Sequence, residues 1–222
     1  SVGLVVTGLV AWFANQAATT TNPDQAVAQL QNGELLTQWG ALLYTSPLMW
    51  VFALAPLAFV LVLSFGINKL SVPAAQATFW AFAAIMGLSL SSIFMVYTDA
   101  SIAKVFFITA ATFGAMSLYG YTTKRDLTGM GNFLLMGLIG LIIASVVNIF
   151  MQSSMLEFAI SAIGVLVFVG LTAYDTQKIK ESYDTSVGSD VLAKGAIMGA
   201  LNLYLDFINL FMFLLRFVGN RD

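Results

Sequence analysis

An all-α integral membrane protein, a bundle of about seven transmembrane helices, is the fold this sequence predicts. Two observations carry the prediction. Apolar blocks of about 20 residues, the length that crosses a bilayer core, recur along the whole chain. Hydrophobic residues fill 59 % of the 222 positions and charged residues only 9 %, where a soluble domain carries about a quarter charged. So few charges cannot coat the surface of a soluble domain of this size. Lipid is therefore the expected solvent, and a single transmembrane domain over residues 1–222 accounts for the chain.

The blocks are taken in order. The first runs from Ser1 to Ala18; it opens inside apolar sequence, without an initiator Met, and reads as a helix clipped at its N-terminus. The stretch from Thr19 to Tyr44 is polar, with Asn22-Pro23-Asp24 and Asn32-Gly33-Glu34 as turn signals. The second span is expected over Pro47–Gly66, with Pro56 as a kink. Asn68 to Pro73 reads as a tight turn, followed by a third span over Ala74–Tyr97 and a fourth over Ile102–Tyr121. A basic loop, Thr122 to Gly131, leads to the fifth span, Asn132–Met151. The sixth is expected over Leu156–Asp175, then a polar segment Thr176–Lys194, then the seventh over Gly195–Val218. No repeat is visible, which argues against the inverted-repeat transporters.

The basic residues sort by loop. Lys69, Lys124, Arg125, Lys178, Lys180 and Lys194 fall on one side, and Lys104 alone on the other. The positive-inside rule makes the six-residue side cytoplasmic. A full seventh crossing then sends Arg216 and Arg221 to the opposite side; the alternative is a re-entrant last span.

The chain has no cysteine and no histidine. That excludes disulfides, thiolate nucleophiles, Ser-His-Asp triads and His-ligated zinc, and it removes the usual switch near neutral pH. Proton chemistry must fall to carboxylates. No basic run points to nucleic acid.

Ionisable residues inside membrane helices are functional candidates by default. Asp206 lies deep in the seventh span and Asp175 closes the sixth. Glu157 and Arg216 lie near helix ends, where snorkelling to water explains them. In the seventh span Gly195, Gly199, Asn202, Asp206 and Asn209 are spaced 4, 3, 4 and 3 apart, which places all five on one helix face. The glycines allow close helix packing, and the amides need partners away from lipid, so this helix should be central. Interhelical hydrogen bonding is explanation enough for Asn202 and Asn209. Asp206 asks for more, because Asp at a helix centre costs about 2.5–3.5 kcal/mol on insertion.

Asp175 is the natural partner of Asp206. Two carboxyl groups held close share a proton and titrate as a pair, a pH-sensitive latch that needs no histidine. Lowering the pH locks the pair; raising it drives the anions apart or draws in a cation, for which calcium suits carboxylate and carbonyl oxygens. Depth opposes the pairing. Asp175 is three residues from Lys178, about 4–5 Å of helix, and Asp206 is 12 from Lys194, about 18 Å. Pairing requires tilt, or a seventh helix that starts well outside the hydrocarbon.

These residues resemble the Bax inhibitor-1 (transmembrane Bax inhibitor motif) family, and most of all its bacterial branch. The likeness is carried by Thr109-Ala-Ala-Thr-Phe-Gly-Ala-Met-Ser117, Gly120-Tyr-Thr-Thr-Lys-Arg-Asp-Leu127, Asn148-Ile-Phe150, Leu171-Thr-Ala-Tyr-Asp-Thr-Gln-Lys-Ile179 and Leu203-Tyr-Leu-Asp-Phe-Ile-Asn-Leu-Phe211. The resemblance implies seven helices with the last in the middle, in a bacterial inner membrane. It also implies a pH-sensitive calcium leak governed by an aspartate pair, here Asp175 and Asp206, with no cofactor. Bacterial relatives are further linked to a membrane-bound AAA+ quality-control protease, so a non-conducting modulator of such a protease is the alternative. The chain departs from the pattern in two places. The second span lacks the arginine and acidic residue of some relatives, and Ser91-Ser92 lies where a Gly-Pro pair is expected.

An enzyme is not expected. Intramembrane aspartyl proteases also place Tyr-Asp on one helix and Asp on the next, as Tyr174-Asp175 and Asp206 do. Their second Asp follows Gly-x-Gly, however, where this chain has Leu203-Tyr-Leu.

Overall fold

A computed structural model describes residues 2–30, 33–183 and 188–220. Ser1, Asn32 and Arg221, each part of a feature expected from the sequence, lie outside the described residues, as do 184–187 within the polar segment. Helices dominate: α1 (Val2–Ala18), α2 (Gln38–Tyr44), α3 (Leu48–Gly66), α4 (Val72–Leu90), α5 (Asp99–Thr122), α6 (Thr128–Met151), α7 (Ser154–Glu181) and α8 (Ser189–Val218). Six helical segments among the described residues are long and apolar enough to cross a membrane, α4 counting with the short turn that continues it; α1 is apolar but spans only 17 residues. The all-α membrane fold is thus as expected, with six spans of full length beside α1.

The contacts gather into two compact units, one reaching to Tyr97 and one over Thr98–Asn220, within the membrane region expected over residues 1–222. In the first unit α1 and α3 pack on α4. The polar stretch is more ordered than its turn signals predict. Strands β1 (Thr19–Thr20), β2 (Ala28–Gln29) and β3 (Leu35–Leu36) form an antiparallel sheet in the order β1-β3-β2. The Thr37 hydroxyl then caps α2 by accepting from the amide of Gly40 at 3.2 Å. Pro73 is not in a turn: α4 has already begun at Val72, capped by Ser71, and proline in a first helical turn has no amide bond to lose. α4 tightens into a 3₁₀ stretch over Ser91–Met95. That break falls where the resemblance places a Gly-Pro pair, and there buried Ser91 accepts a hydrogen bond from the Tyr44 hydroxyl at 3.0 Å.

The second unit is built on α7, which packs against α5, α6 and α8, while α8 also packs on α5. Serine and threonine set its helix starts: Thr98 caps α5 and Ser153 caps α7. Gln152 ends α6 in the left-handed region (φ 48°) and the Asn148 side chain accepts from the amide of Ser153, so only two residues separate α6 from α7. Half of the apolar window of α8 is buried, against 6 % for α6. The last helix is therefore the most enclosed of the six.

Several helices start before their expected spans, and two boundaries extend six residues beyond expectation. α7 does not stop at Asp175 but continues to Glu181, and α8 starts at Ser189 rather than Gly195. Lysine and glutamate are good helix formers, so both helices continue past the point where apolar periodicity fades. α8 is one unbroken helix of 30 residues, about 45 Å long. Its far end meets the start of α5, where the amide of Asn220 donates to the Ser101 hydroxyl at 2.9 Å. The other end of α5 meets the end of α7, where the Lys180 ammonium donates to the Tyr121 carbonyl at 2.6 Å. α8 thus ends opposite the Lys180 side, which rules out a re-entrant last span and leaves Arg216 in the last turn on that far side.

Candidate functional site

Asp175 and Asp206 meet. Their carboxyl groups are in hydrogen-bonding contact across the α7–α8 interface. The depth objection disappears because α8 begins before it reaches α7: Gly199 already faces Ile179, near the α7 terminus. The residues before it extend beyond the end of α7, so counting inward from Lys194 overstates the depth of Asp206.

The pair opens on a cavity of about 620 Å³ between α6, α7 and α8. Asn202, Asp206 and Asn209 all line it, as their shared helix face requires. Asp206 is only 5 % exposed, and apart from the Asp175 carboxyl its buried Oδ2 has no hydrogen-bond partner. Behind it Phe207 packs edge-to-face on Phe106 and Phe113, with ring centroids 5.6 and 5.4 Å apart, so the pair backs onto dry aromatic packing. Lys178, one turn after Asp175, lines the mouth and lies 5.7 Å over the Tyr174 ring.

Two expectations need correction. Asn209 does not bridge helices; its side-chain amide donates to the Leu205 carbonyl of its own helix at 2.8 Å. Gly195 is not a packing glycine: it is exposed, and nothing lies within 4 Å of where a Cβ would stand. It sits on the extension of α8 that has not yet met α7. Gly199 alone makes the close approach, with Ile179 Cγ1 3.0 Å from the Cβ position.

Three further residues position the site. Gln177, 5 % exposed, accepts from the amide of Leu127 and donates to the carbonyl of Arg125, both at 2.8 Å. It ties the α5–α6 loop to α7 two residues from Asp175. In the same loop the hydroxyl and amide of Thr128 hold the carboxyl of Asp126 below the usual carboxylate range. Gly120 abuts the backbone of Ala173, and Gly131 lets the Tyr174 ring pass under the start of α6. A glutamine at a helix end carries no sequence signal of such a clamp. Gln177→Ala is expected to cost about 2–3 kcal/mol, because it strands a buried donor and acceptor together; a lowered melting temperature in detergent measures it.

Chemically, a carboxylate only accepts hydrogen bonds, so a hydrogen bond between two carboxyl groups requires a proton on one of them. Among the described residues no cluster of three or more acidic side chains gathers. Two carboxyl groups fall short of the six to eight oxygen ligands that cage calcium.

Comparison with known proteins agrees with the motifs. The family model described as "Inhibitor of apoptosis-promoting Bax1" matches residues 1–222. The chain is 51 % identical over 225 residues to the "Inner membrane protein YbhL" of Escherichia coli K12, covering 100 % of this chain and 88 % of that one. It is 54 % identical over 171 residues to an uncharacterised protein of Rickettsia prowazekii, covering 77 % and 72 % of the two chains. A Caulobacter vibrioides protein is 46 % identical over 224 residues, covering 100 % and 86 %. This multi-pass integral membrane protein belongs to the Bax inhibitor-1 family.

Proposed function

We propose that the protein is a pH-sensitive cation leak of the bacterial inner membrane, with calcium as the candidate ion and the Asp175–Asp206 pair as its latch. One observation carries the reading: a buried carboxyl pair in hydrogen-bonding contact at the wall of a cavity. At low pH the proton between the carboxyls ties α7 to α8. As pH rises the proton leaves, two anions face each other in dry surroundings, and repulsion or an incoming cation separates the helices. The reading is non-enzymatic and needs no cofactor. α8 runs unbroken through Asp206, whereas a protease site there would need loosened backbone to receive a peptide.

Calcium flux into proteoliposomes across pH 5 to 8 tests it. Flux that rises with pH is the expected result. Folded protein with no flux above empty liposomes at any pH overturns the leak and favours the second reading, a non-conducting modulator of a membrane-bound AAA+ protease.

A further inference from the structure

Three charged side chains line the cavity, and two of them form the carboxyl pair. The third is Lys178, the one basic residue among the described residues of the lining. It follows Asp175 by three positions on α7, and residues so spaced are neighbours on one helix face. Its charge already acts on Asp175. Its ammonium nevertheless rests 5.7 Å over the Tyr174 ring, within cation–π distance. That ring lies under the start of α6, where Gly131 makes room for it.

Lys180 shows what a lysine does here when it turns away from the cavity. It lies 4.9 Å over the Tyr121 ring and donates to the Tyr121 carbonyl. The remaining charges around the pair do not reach it. α6 carries none. Asp126 accepts from the amide of Thr128, and Lys124 and Arg125 are exposed outside the lining. Lys194 precedes Asp206 by 12 residues, about 18 Å of helix.

While a proton joins the carboxyls, the pair satisfies itself by a hydrogen bond, and the ammonium is left to the ring. Once the proton leaves, two carboxylates face the cavity. An ammonium is a three-donor point charge on a flexible stem, and hydrogen bonds between ionised groups are the strong ones. Lys178 then gains by leaving the ring for the pair, one turn away. With two carboxylates and one ammonium the lining carries a net charge of −1, and a free cation arriving there meets a site already filled.

We propose that Lys178 is a tethered cation that occupies the Asp175–Asp206 pair when the proton has left, so that a free cation binds the pair only by displacing it. Tyr174 is its resting place otherwise. The proposal rests on the pair being a cation site, as in the leak reading, but not on conduction.

The rise of melting temperature with calcium chloride, in detergent at constant ionic strength, reads cation binding without flux, because a ligand of the native state stabilises it. At about pH 9, above the range proposed for the latch, Lys178→Gln is expected to lower the calcium needed for a given rise by about tenfold or more, as loss of a charged competitor should. Lys178→Arg keeps the charge and should need no less calcium than the wild type. Lys180→Gln removes an equal charge outside the cavity and should change the requirement by under about twofold. Lys178 is exposed, so its variants should fold. Adding Asp206→Asn to Lys178→Gln should abolish the gain; should the double variant not fold, the three single variants decide alone. No gain in Lys178→Gln, an equal gain in Lys178→Arg or Lys180→Gln, or a gain that survives Asp206→Asn overturns the proposal. A gain without calcium flux would keep the tether and end the leak, and flux without the gain would do the reverse.

Discussion

Asp206→Asn is expected to leave calcium flux low and flat from pH 5 to 8, varying within about twofold, whereas a single-proton switch changes its conducting population by up to about tenfold per pH unit. Asparagine keeps the shape of aspartate but carries a permanent donor. Its amide can hydrogen-bond Asp175 whether or not a proton is present, so the latch stays closed at every pH. Burial amplifies the effect, because Asp206 is only 5 % exposed. Asp175→Asn should flatten the response as well. It also removes the carboxyl nearest Lys178, the charge that acts on Asp175 from one turn away. A variant at position 206 that still tracks pH would remove the pair from the mechanism.

The second large effect is structural. Gly120→Leu is expected to destabilise the protein by about 3 kcal/mol or more, at the upper end for overpacking. A Cβ at Gly120 would run into the Ala173 backbone, and backbone cannot rotate aside as a side chain does. Ala173 is fully buried and precedes Asp175 by two residues, so α7 would be pushed off α5 beside the latch. Gly114→Ala in the same helix is the control. Nothing lies within 4 Å of its Cβ position, and alanine should add about 0.5–1 kcal/mol of helix stability. Melting temperatures in one detergent compare the two; an unshifted Gly120→Leu would show that α5 and α7 do not pack as described.

Apolar length makes the spans legible, since a bilayer core leaves little choice of structure for such blocks. The helix ends are harder to read. Hydropathy marks where a chain leaves lipid, not where its backbone stops bonding, so it puts Asp175 at a terminus although α7 runs six residues further. The same confusion gives Gly195 a packing role, although it sits on helix beyond the partner's end. The polar face of α8 is legible because three or four residue spacing survives any shift of the ends. Gln177 and Gly120 are not, because their roles depend on a loop carbonyl and on a neighbouring backbone that no pattern in their own helix encodes. The strands β1, β2 and β3 are two residues each, too short for an alternation to be seen.

α6 is supported at both ends, by the two-residue turn at Gln152–Ser153 and by the Gln177 bond to Leu127. In mechanical terms it is a beam rather than a hinged arm. A beam held twice can only bow at mid-length, where Leu138 and Ile142 form the cavity wall. Releasing the Gln177 support turns it into a cantilever, with its greatest travel beside Arg125. The stiffness of the chamber is therefore set at the basic loop, by groups that do not themselves line it.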